Sequence, residues 1–287
     1  MEQTKKITFF SKEPLACPVC ETLFHKEELL SGSGRLVAGE VTDELRRLYE
    51  PSKKYGAIFP LIYTIVVCPT CLFAVFPKDM KEQEAERETI QTLKDTQDKR
   101  LSSIGLLFPD IDFTQPRTLE TGAASYFLAV MCYEHIQKQY SPTIKCGLST
   151  LRAAWLFDEL HRKKSDENYD YLNKLFYRKS RFYYRMSIER EQTGKETMGA
   201  MANLGPDLDK NYGYDGVLYI AAYLEFKYGP SGNQAVRIQN LDRAKKTIAK
   251  VHGMDRASKN RPSLILDMAK ELYGTISDEH KSLQGEE

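Results

Sequence analysis

The sequence of 287 residues lacks an apolar run long enough to cross a membrane. Its longest apolar stretch, Ala57 to Val67, is far shorter than the roughly 20 residues that a spanning helix needs, and it contains Pro60. The segment from Met1 to Thr8 is polar and charged, so it has no apolar core of an export signal. We therefore expect a cytoplasmic protein.

An excess of charge of either sign is also missing. The 41 Lys and Arg residues balance 40 Asp and Glu residues, which leaves a formal net charge of +1. A nearly neutral chain creates no overall field that would attract nucleic acid or an anionic membrane. Known enzyme signatures are absent too, including a glycine-rich phosphate loop, HExxH, GxSxG and the kinase motifs. We expect a binding protein rather than an enzyme.

Two cysteine pairs give the strongest chemical signal in the chain. Four of the six cysteines lie in Cys17-Pro18-Val19-Cys20 and Cys68-Pro69-Thr70-Cys71, which we call the first and second knuckle. Two residues between the cysteines of a pair allow both thiolates to face one ion, and two pairs complete a tetrahedral Zn²⁺ site. Iron bound by four thiolates fits the same pattern. Because such a site has no open position for water, its predicted role is structural.

Other roles for the cysteines remain open at this point. Either pair could act as a redox dithiol, although the chain lacks the βαβ pattern of thioredoxin-like proteins. His25 could replace one cysteine as a ligand, but a surface position is the simpler expectation. Cys132 and Cys146 are expected to be small apolar residues on helix faces, without a reactive role.

Residues 1–113 are predicted to form a small zinc-ribbon-like module. Short strands should flank the first knuckle within residues 9–24, and Ile58 to Val67 should be a strand that enters the second knuckle. Apolar residues at helical spacing predict a short helix from Val41 to Glu50. Asp79 to Lys99 should be a solvated bridging helix, and Leu101 to Phe113 should seal the interface with the rest of the chain.

Residues 114–287 are predicted to form an α-helical domain of antiparallel helical hairpins, similar to tetratricopeptide (TPR) repeats. Ser141, Ser165, Asp215 and Asn233 are candidate N-caps. The predicted helices are Leu119 to Gln139, Pro142 to about Arg162, Ser165 to Gly194, Gly216 to Tyr228, Asn233 to His252, and one from about Pro262. The whole chain is thus predicted to be an α+β protein.

The two knuckles with their flanking residues, up to Phe24 and from Tyr63 to Ala74, resemble the bacterial domain-of-unknown-function family DUF2225. The resemblance covers most of the chain, to about Tyr273. It implies metal binding at Cys17, Cys20, Cys68 and Cys71 and helices similar to TPR repeats. It implies no particular reaction.

A basic and aromatic segment, Lys174 to Arg190, offers a second functional hypothesis. Arginine and aromatic side chains can stack on bases, so RNA or single-stranded nucleic acid is a conceivable ligand. Helical spacing allows a simpler interpretation, in which the aromatic side chains face the core and the basic ones face solvent. The function we expect is that of a zinc-binding module for protein–protein interaction or scaffolding, with nucleic-acid binding and thiol- or metal-dependent redox catalysis as alternatives.

Overall fold

A computed structural model of the chain describes residues 6–30, 32–82, 87–253 and 263–285. Small antiparallel strand pairs lie near the N-terminus and helices form the remainder, so the protein belongs to the α+β class. The strands are β1 (Thr8–Phe10), β2 (Leu15–Ala16), β3 (Leu23–Phe24), β4 (Glu27–Leu29), β5 (Val37–Val41), β6 (Arg47–Glu50), β7 (Val66–Val67) and β8 (Ala74–Val75). The helices are α1 (Pro77–Glu82), α2 (Arg87–Asp95), α3 (Gln97–Leu107), α4 (Leu119–Tyr133), α5 (Pro142–Lys163), α6 (Tyr169–Gln192), α7 (Gly213–Tyr228), α8 (Gln234–Gly253) and α9 (Ser263–Gln284).

Each knuckle connects the two strands of one short antiparallel pair. Strand β2 pairs with β3 around the first knuckle, and β7 pairs with β8 around the second. Two-residue strands bury too little surface to be stable alone, so the turn chemistry and the neighbouring helices must hold them. The predicted strand–knuckle–strand arrangement of a zinc-ribbon-like module is confirmed.

The predicted helix from Val41 to Glu50 is wrong, because this segment belongs to the β5–β6 hairpin. Its apolar residues match helical spacing, but Thr42 and Arg46 close a turn in which Leu45 has a left-handed φ of 57°. Leu45 is fully buried at this turn. Packing against helices far away in sequence therefore overrides the local pattern.

Two other predictions between the knuckle and the helical region need correction. Residues 58–67 are not one strand, since Pro60–Tyr63 forms a 3-10 helix before the short strand β7. Residues 79–99 are not one solvated helix either, because the described parts form α1, α2 and the start of α3 with a break at Thr96. Arg100 and Ile104 on α3 are buried, whereas Leu106 is 85% exposed, so only one face of the predicted sealing segment contacts the core.

The helices predicted after residue 114 are present, but the first of them ends at Tyr133 rather than Gln139, and Lys138–Tyr140 forms a separate 3-10 helix. Asn233 is confirmed as an N-cap, since its side chain accepts a hydrogen bond from the Val236 N–H at 3.1 Å. Ser141 is not a cap: it adopts a left-handed φ of 53° and its hydroxyl donates to the Thr197 carbonyl. Helix α6 begins after Asn168 rather than Ser165, and Asp215 lies inside the first turn of α7. The start predicted near Pro262 lies outside the described residues.

One apolar core runs from the knuckles into the helices. Helix α4 packs against β8 and the 3-10 helix Pro60–Tyr63, and each helix from α4 to α9 packs against the next. Gly122 of α4 permits the close approach, because a Cβ there would lie 2.6 Å from Cγ2 of Ile62. The buried helix α4 thus positions the segment that leads into the second knuckle. Among the described residues, no helix combines the length and apolarity needed to span a membrane.

Candidate metal centre

The structure brings the sulfur atoms of Cys17, Cys20, Cys68 and Cys71 together, all within 4.8 Å of one another. Two of the contacts, Cys17 to Cys71 at 3.6 Å and Cys20 to Cys68 at 3.5 Å, join different knuckles. The first, third and fourth of these cysteines are buried and Cys20 is half-buried. No second cluster of potential metal ligands occurs in the part of the chain that the structure describes.

Both knuckles have the same backbone geometry. The N–H of the first cysteine donates to the carbonyl five residues later, from Cys17 to Thr22 and from Cys68 to Phe73. The backbone N–H of the residue after the second cysteine donates to the carbonyl of the first cysteine, from Glu21 to Cys17 and from Leu72 to Cys68. Both residues have a left-handed φ, 63° at Glu21 and 55° at Leu72. This turn directs both thiols of a pair to the same side, so the two knuckles face each other as matching halves of one site.

The donor set and its spacing fit a tetrahedral metal ion. Four sulfurs around zinc with bonds of about 2.3 Å lie about 3.8 Å apart, close to the cross-knuckle contacts of 3.6 and 3.5 Å. The Thr22 hydroxyl lies 3.3 Å from Cys20 Sγ, near enough to donate to a thiolate. The four cysteines could therefore hold one ion without a large rearrangement.

Close contact among the thiols also changes their acidity. The hydrogen bond between Cys17 and Cys68 lowers the pKa of Cys68 to about 2 and raises the pKa of Cys17 to about 12. The pKa of Cys71 is raised as well, first by its hydrogen bond with Cys17. Metal binding requires the thiols in their deprotonated form. A divalent cation would therefore compete with protons for the four sulfurs, which couples metal binding to pH.

A buried arginine holds the second knuckle from the helical side. Arg100 is 1% exposed, and its Nε and Nη2 donate to the carbonyl of Cys71 at 3.1 and 3.0 Å. The same side chain also donates to the Leu93 carbonyl at 2.8 Å and to the Thr96 hydroxyl at 2.9 Å. Among the described residues it has no carboxylate partner. Sequence reasoning missed Arg100, because its position next to Lys99 in a charged segment indicates a solvated side chain.

Arg100 has no carboxylate partner among the residues that the structure describes, and this has an electrostatic consequence. An isolated buried charge is costly, so buried charges are normally paired. Four thiolates around a divalent ion carry a net charge of −2, which is opposite in sign to the guanidinium. Arg100 is therefore suited to balance part of the charge of a loaded site while it fixes the backbone of Cys71.

The remaining cysteines and His25 do not join this cluster. Cys132 and Cys146 are buried in α4 and α5, and burial raises the pKa of Cys132 to about 11 and that of Cys146 well above its ordinary value. Low thiolate content makes both unreactive. His25 is exposed and its Nδ1 lies 2.7 Å from the Ser11 carbonyl. These positions agree with the roles expected from the sequence.

The basic and aromatic segment lies on α6 with four of its five aromatic side chains buried. Phe176, Tyr177, Tyr183 and Tyr184 are buried, whereas Phe182 is 47% exposed. Two of the basic residues are neutralised in ion pairs: Arg181 bonds Glu225 and Arg190 bonds Glu196. Because a buried ring offers no face to a base, these four rings are unavailable for stacking and Phe182 is the exposed ring of the segment.

Comparisons with known proteins support the resemblance carried by the knuckles. Residues 10–276 match the family described as "Uncharacterized protein conserved in bacteria (DUF2225)". A protein of Borreliella burgdorferi described as "Uncharacterized protein" is 44% identical over 281 residues, which cover 98% of this chain and 100% of the relative. No solved structure matches the chain.

Proposed function

The chain belongs to the bacterial family DUF2225, and we propose that it is a non-enzymatic zinc-binding protein that serves as a protein–protein interaction or scaffold module. The convergence of Cys17, Cys20, Cys68 and Cys71 within 4.8 Å carries this proposal. Four thiolates fill the coordination sphere of zinc, so the metal stabilises the fold rather than activating water.

The position of the site supports a structural role for the metal. The second knuckle is continuous with the core that contains α4, and Arg100 links it to α2 and α3. Loss of the ion would therefore loosen the junction between the strand pairs and the helices. The free cysteines suit a reducing compartment, which agrees with the cytoplasmic location expected from the sequence.

The helical region supplies the proposed interaction surface. Helices α4 to α9 are packed one after another, and short connections, residues 164–168 and 229–233, join α5 to α6 and α7 to α8, as in antiparallel hairpins of the TPR type. The connection from α6 to α7, residues 193–212, is longer. Stacked hairpins produce grooves that are suited to hold a segment of another protein. Residues 1–113 and 114–287 would then be the metal-binding and the partner-binding part.

Metal content and ligation test the first half of the proposal. Elemental analysis of the purified chain should find one zinc ion per chain, and Cys→Ser at any of the four knuckle positions should remove it. Cys132→Ser and Cys146→Ser are matched controls that should keep the metal. Iron in place of zinc would correct the identity of the ion. A chain that contains no metal, or keeps it after loss of a knuckle cysteine, would contradict the site.

Partner binding tests the second half. A tagged chain at native expression level is used to capture candidate proteins, and each candidate is then purified and titrated against the purified, zinc-loaded chain. We expect at least one candidate to bind in this reconstituted assay, and to bind more weakly after Cys17→Ser. If no purified candidate binds the chain, the proposed interaction function is wrong.

A further inference from the structure

The β5–β6 hairpin is an arm whose tip alone is buried. From residue 32 to residue 57, Leu45 at the turn is the one buried residue, while the strands are half-buried or exposed. Leu45 has a φ of 57°, a conformation that a leucine adopts at some cost, and its side chain is 0% exposed. The turn therefore presents Leu45 to the helices in the way that a ligand presents an anchor residue.

Three helices receive this tip with a set of side-chain donors, which we call the socket. The carboxylate of Glu44 accepts hydrogen bonds from Trp155 Nε1 on α5, from Tyr177 OH on α6 at 2.8 Å and from Tyr228 OH on α7 at 3.4 Å. The hydroxyl of Tyr219 donates to the carbonyl of Asp43 at 2.8 Å.

An ion pair extends the match to the next residue of the tip. Arg46 bonds Glu159 of α5 at 2.8 Å, and its guanidinium lies over the Trp155 ring at 5.5 Å from the centroid. Three successive tip residues, an acid, a leucine and an arginine, thus each meet a complementary environment on the helices.

The packing around the arm is open. A cavity of about 260 Å³ lies between strand β6 and α5, lined in part by Leu48, Pro51 and Leu156. A second cavity of about 100 Å³ lies beside Asp43, against α7 and α9. Both cavities open to solvent, so the strands of the arm leave part of the helical surface beside the docked tip uncovered. Next to the tip, the backbone N–H of Arg47 donates to the Asp207 carboxylate at 2.8 Å, and the Arg47 guanidinium forms an ion pair with Asp209 at 2.9 Å.

We propose that the socket is a peptide-recognition site, that residues 43–46 occupy it as an intramolecular ligand, and that the partner is a protein presenting an exposed turn with the order acid, leucine, arginine. This inference rests on the proposed interaction function and names the partner chemistry. The acidic side chain is recognised by the N–H and O–H donors of the socket. The leucine is recognised by the apolar surface that buries it, and the arginine by its ion pair with Glu159. Since the arm competes with the partner, the apparent affinity of the resting chain equals the intrinsic affinity multiplied by the fraction of sockets that are open.

Binding of a peptide in trans tests the proposal. The probe is a fluorescent, backbone-cyclised peptide with the sequence of residues 41–47, titrated by anisotropy against the full-length, zinc-loaded chain. A variant that carries both Glu44→Ala and Leu45→Ala lacks the side chains that anchor the arm, and we call it the open variant. This variant should bind the probe at least about tenfold more tightly than the wild type, because loss of the hydrogen bonds to the charged group frees the socket.

Hydroxyl deletions in the socket provide the specificity control. Adding Tyr177→Phe and Tyr228→Phe to the open variant should weaken binding about tenfold, because both rings remain and only their donors are lost. Tyr223→Phe is the matched control, since Tyr223 lies on α7 but makes no hydrogen bond to the tip, and it should leave binding unchanged. A probe in which alanine replaces the glutamate should bind the open variant weakly. Its affinity should match that of the original probe for the open variant that also carries Tyr177→Phe and Tyr228→Phe.

Several outcomes would overturn the inference. A folded open variant that binds the probe no better than the wild type means that the arm is a fixed part of the fold. If the double change lowers the helical circular dichroism signal, Arg46→Ser takes its place, and the same order of affinities is required. Concentration-dependent dimerisation of the wild type that Glu44→Ala abolishes would assign the socket to a second copy instead. Failure of the probe while a purified partner still binds the chain would reject the socket and leave the proposed function standing.

Discussion

Replacing Arg100 by methionine tests whether this guanidinium supports the metal centre. Methionine has a similar length and no charge, so the change removes four hydrogen bonds, two of them to the Cys71 carbonyl at 3.1 and 3.0 Å. The substituted chain keeps all four cysteines. Any change in metal affinity then reports on the residue that orients Cys71 and balances the thiolate charge.

The expected magnitude follows from these contacts. Residues that orient a metal ligand typically contribute a factor of about 10–100 to metal affinity. This corresponds to about 1.4–2.7 kcal/mol, comparable to one hydrogen bond that involves a charged group. We therefore expect the zinc dissociation constant of Arg100→Met to rise about 10–100-fold. Arg100→Lys keeps the charge but loses the planar fork of donors, so its effect should be smaller.

Competition with a chromophoric zinc chelator at neutral pH, in the presence of a reductant, measures this constant. Arg152→Met is the matched control, because Arg152 is also buried but donates to the carbonyls of Pro206 and Gly205, away from the knuckles. It should lower the free energy of unfolding without a comparable change in zinc affinity. The reasoning is refuted if Arg100→Met binds zinc as tightly as the wild type, or if Arg152→Met weakens zinc binding equally.

Three further predictions concern packing, pH and thiol access. Gly122→Ala should lower the free energy of unfolding by about 1–3 kcal/mol in urea titrations, because its Cβ would lie 2.6 Å from the Ile62 side chain. Gly105→Ala on α3 is the control: its Cβ would meet nothing within 4 Å, so it should not lower the free energy of unfolding. Burial raises the pKa of Glu44 above its ordinary value of 4.5, so the folded state favours the protonated acid. The unfolding free energy of the wild type minus that of Glu44→Gln should therefore be greatest below pH 4.5 and should decrease as the pH rises through the raised pKa. A difference that does not change with pH would contradict this. Chelation should expose the four knuckle thiols to a labelling reagent, while the two cysteines outside the knuckles should react only after unfolding; early labelling of those two would be the contrary result.

The knuckles show why part of the site was predictable from the sequence. A pair of cysteines separated by two residues determines the reach of both thiols within one local turn, so the candidate ligand set of Cys17, Cys20, Cys68 and Cys71 follows from spacing. The helix starting after Asn233 is similarly local, because a side chain and a nearby backbone N–H form the cap.

The hairpin shows where this reasoning fails. Residues 41–50 have apolar side chains at helical spacing, and local preference alone favours a helix. The observed turn depends on Glu44 and Leu45 entering a socket built from helices more than 100 residues later in the chain. Sequence periodicity carries no information about such a partner.

The amino-acid sequence by itself determined the α+β class, the four candidate metal ligands and most of the helices, because short-range spacing and capping control these features. Only the tertiary structure decided that Arg100 is buried against Cys71, that most aromatic rings of α6 face the core, and that Glu44 lies within hydrogen-bonding reach of Tyr177. Each of these depends on contacts between residues far apart in the chain, and burial changes the chemistry of a charged or aromatic side chain more than its sequence neighbours do.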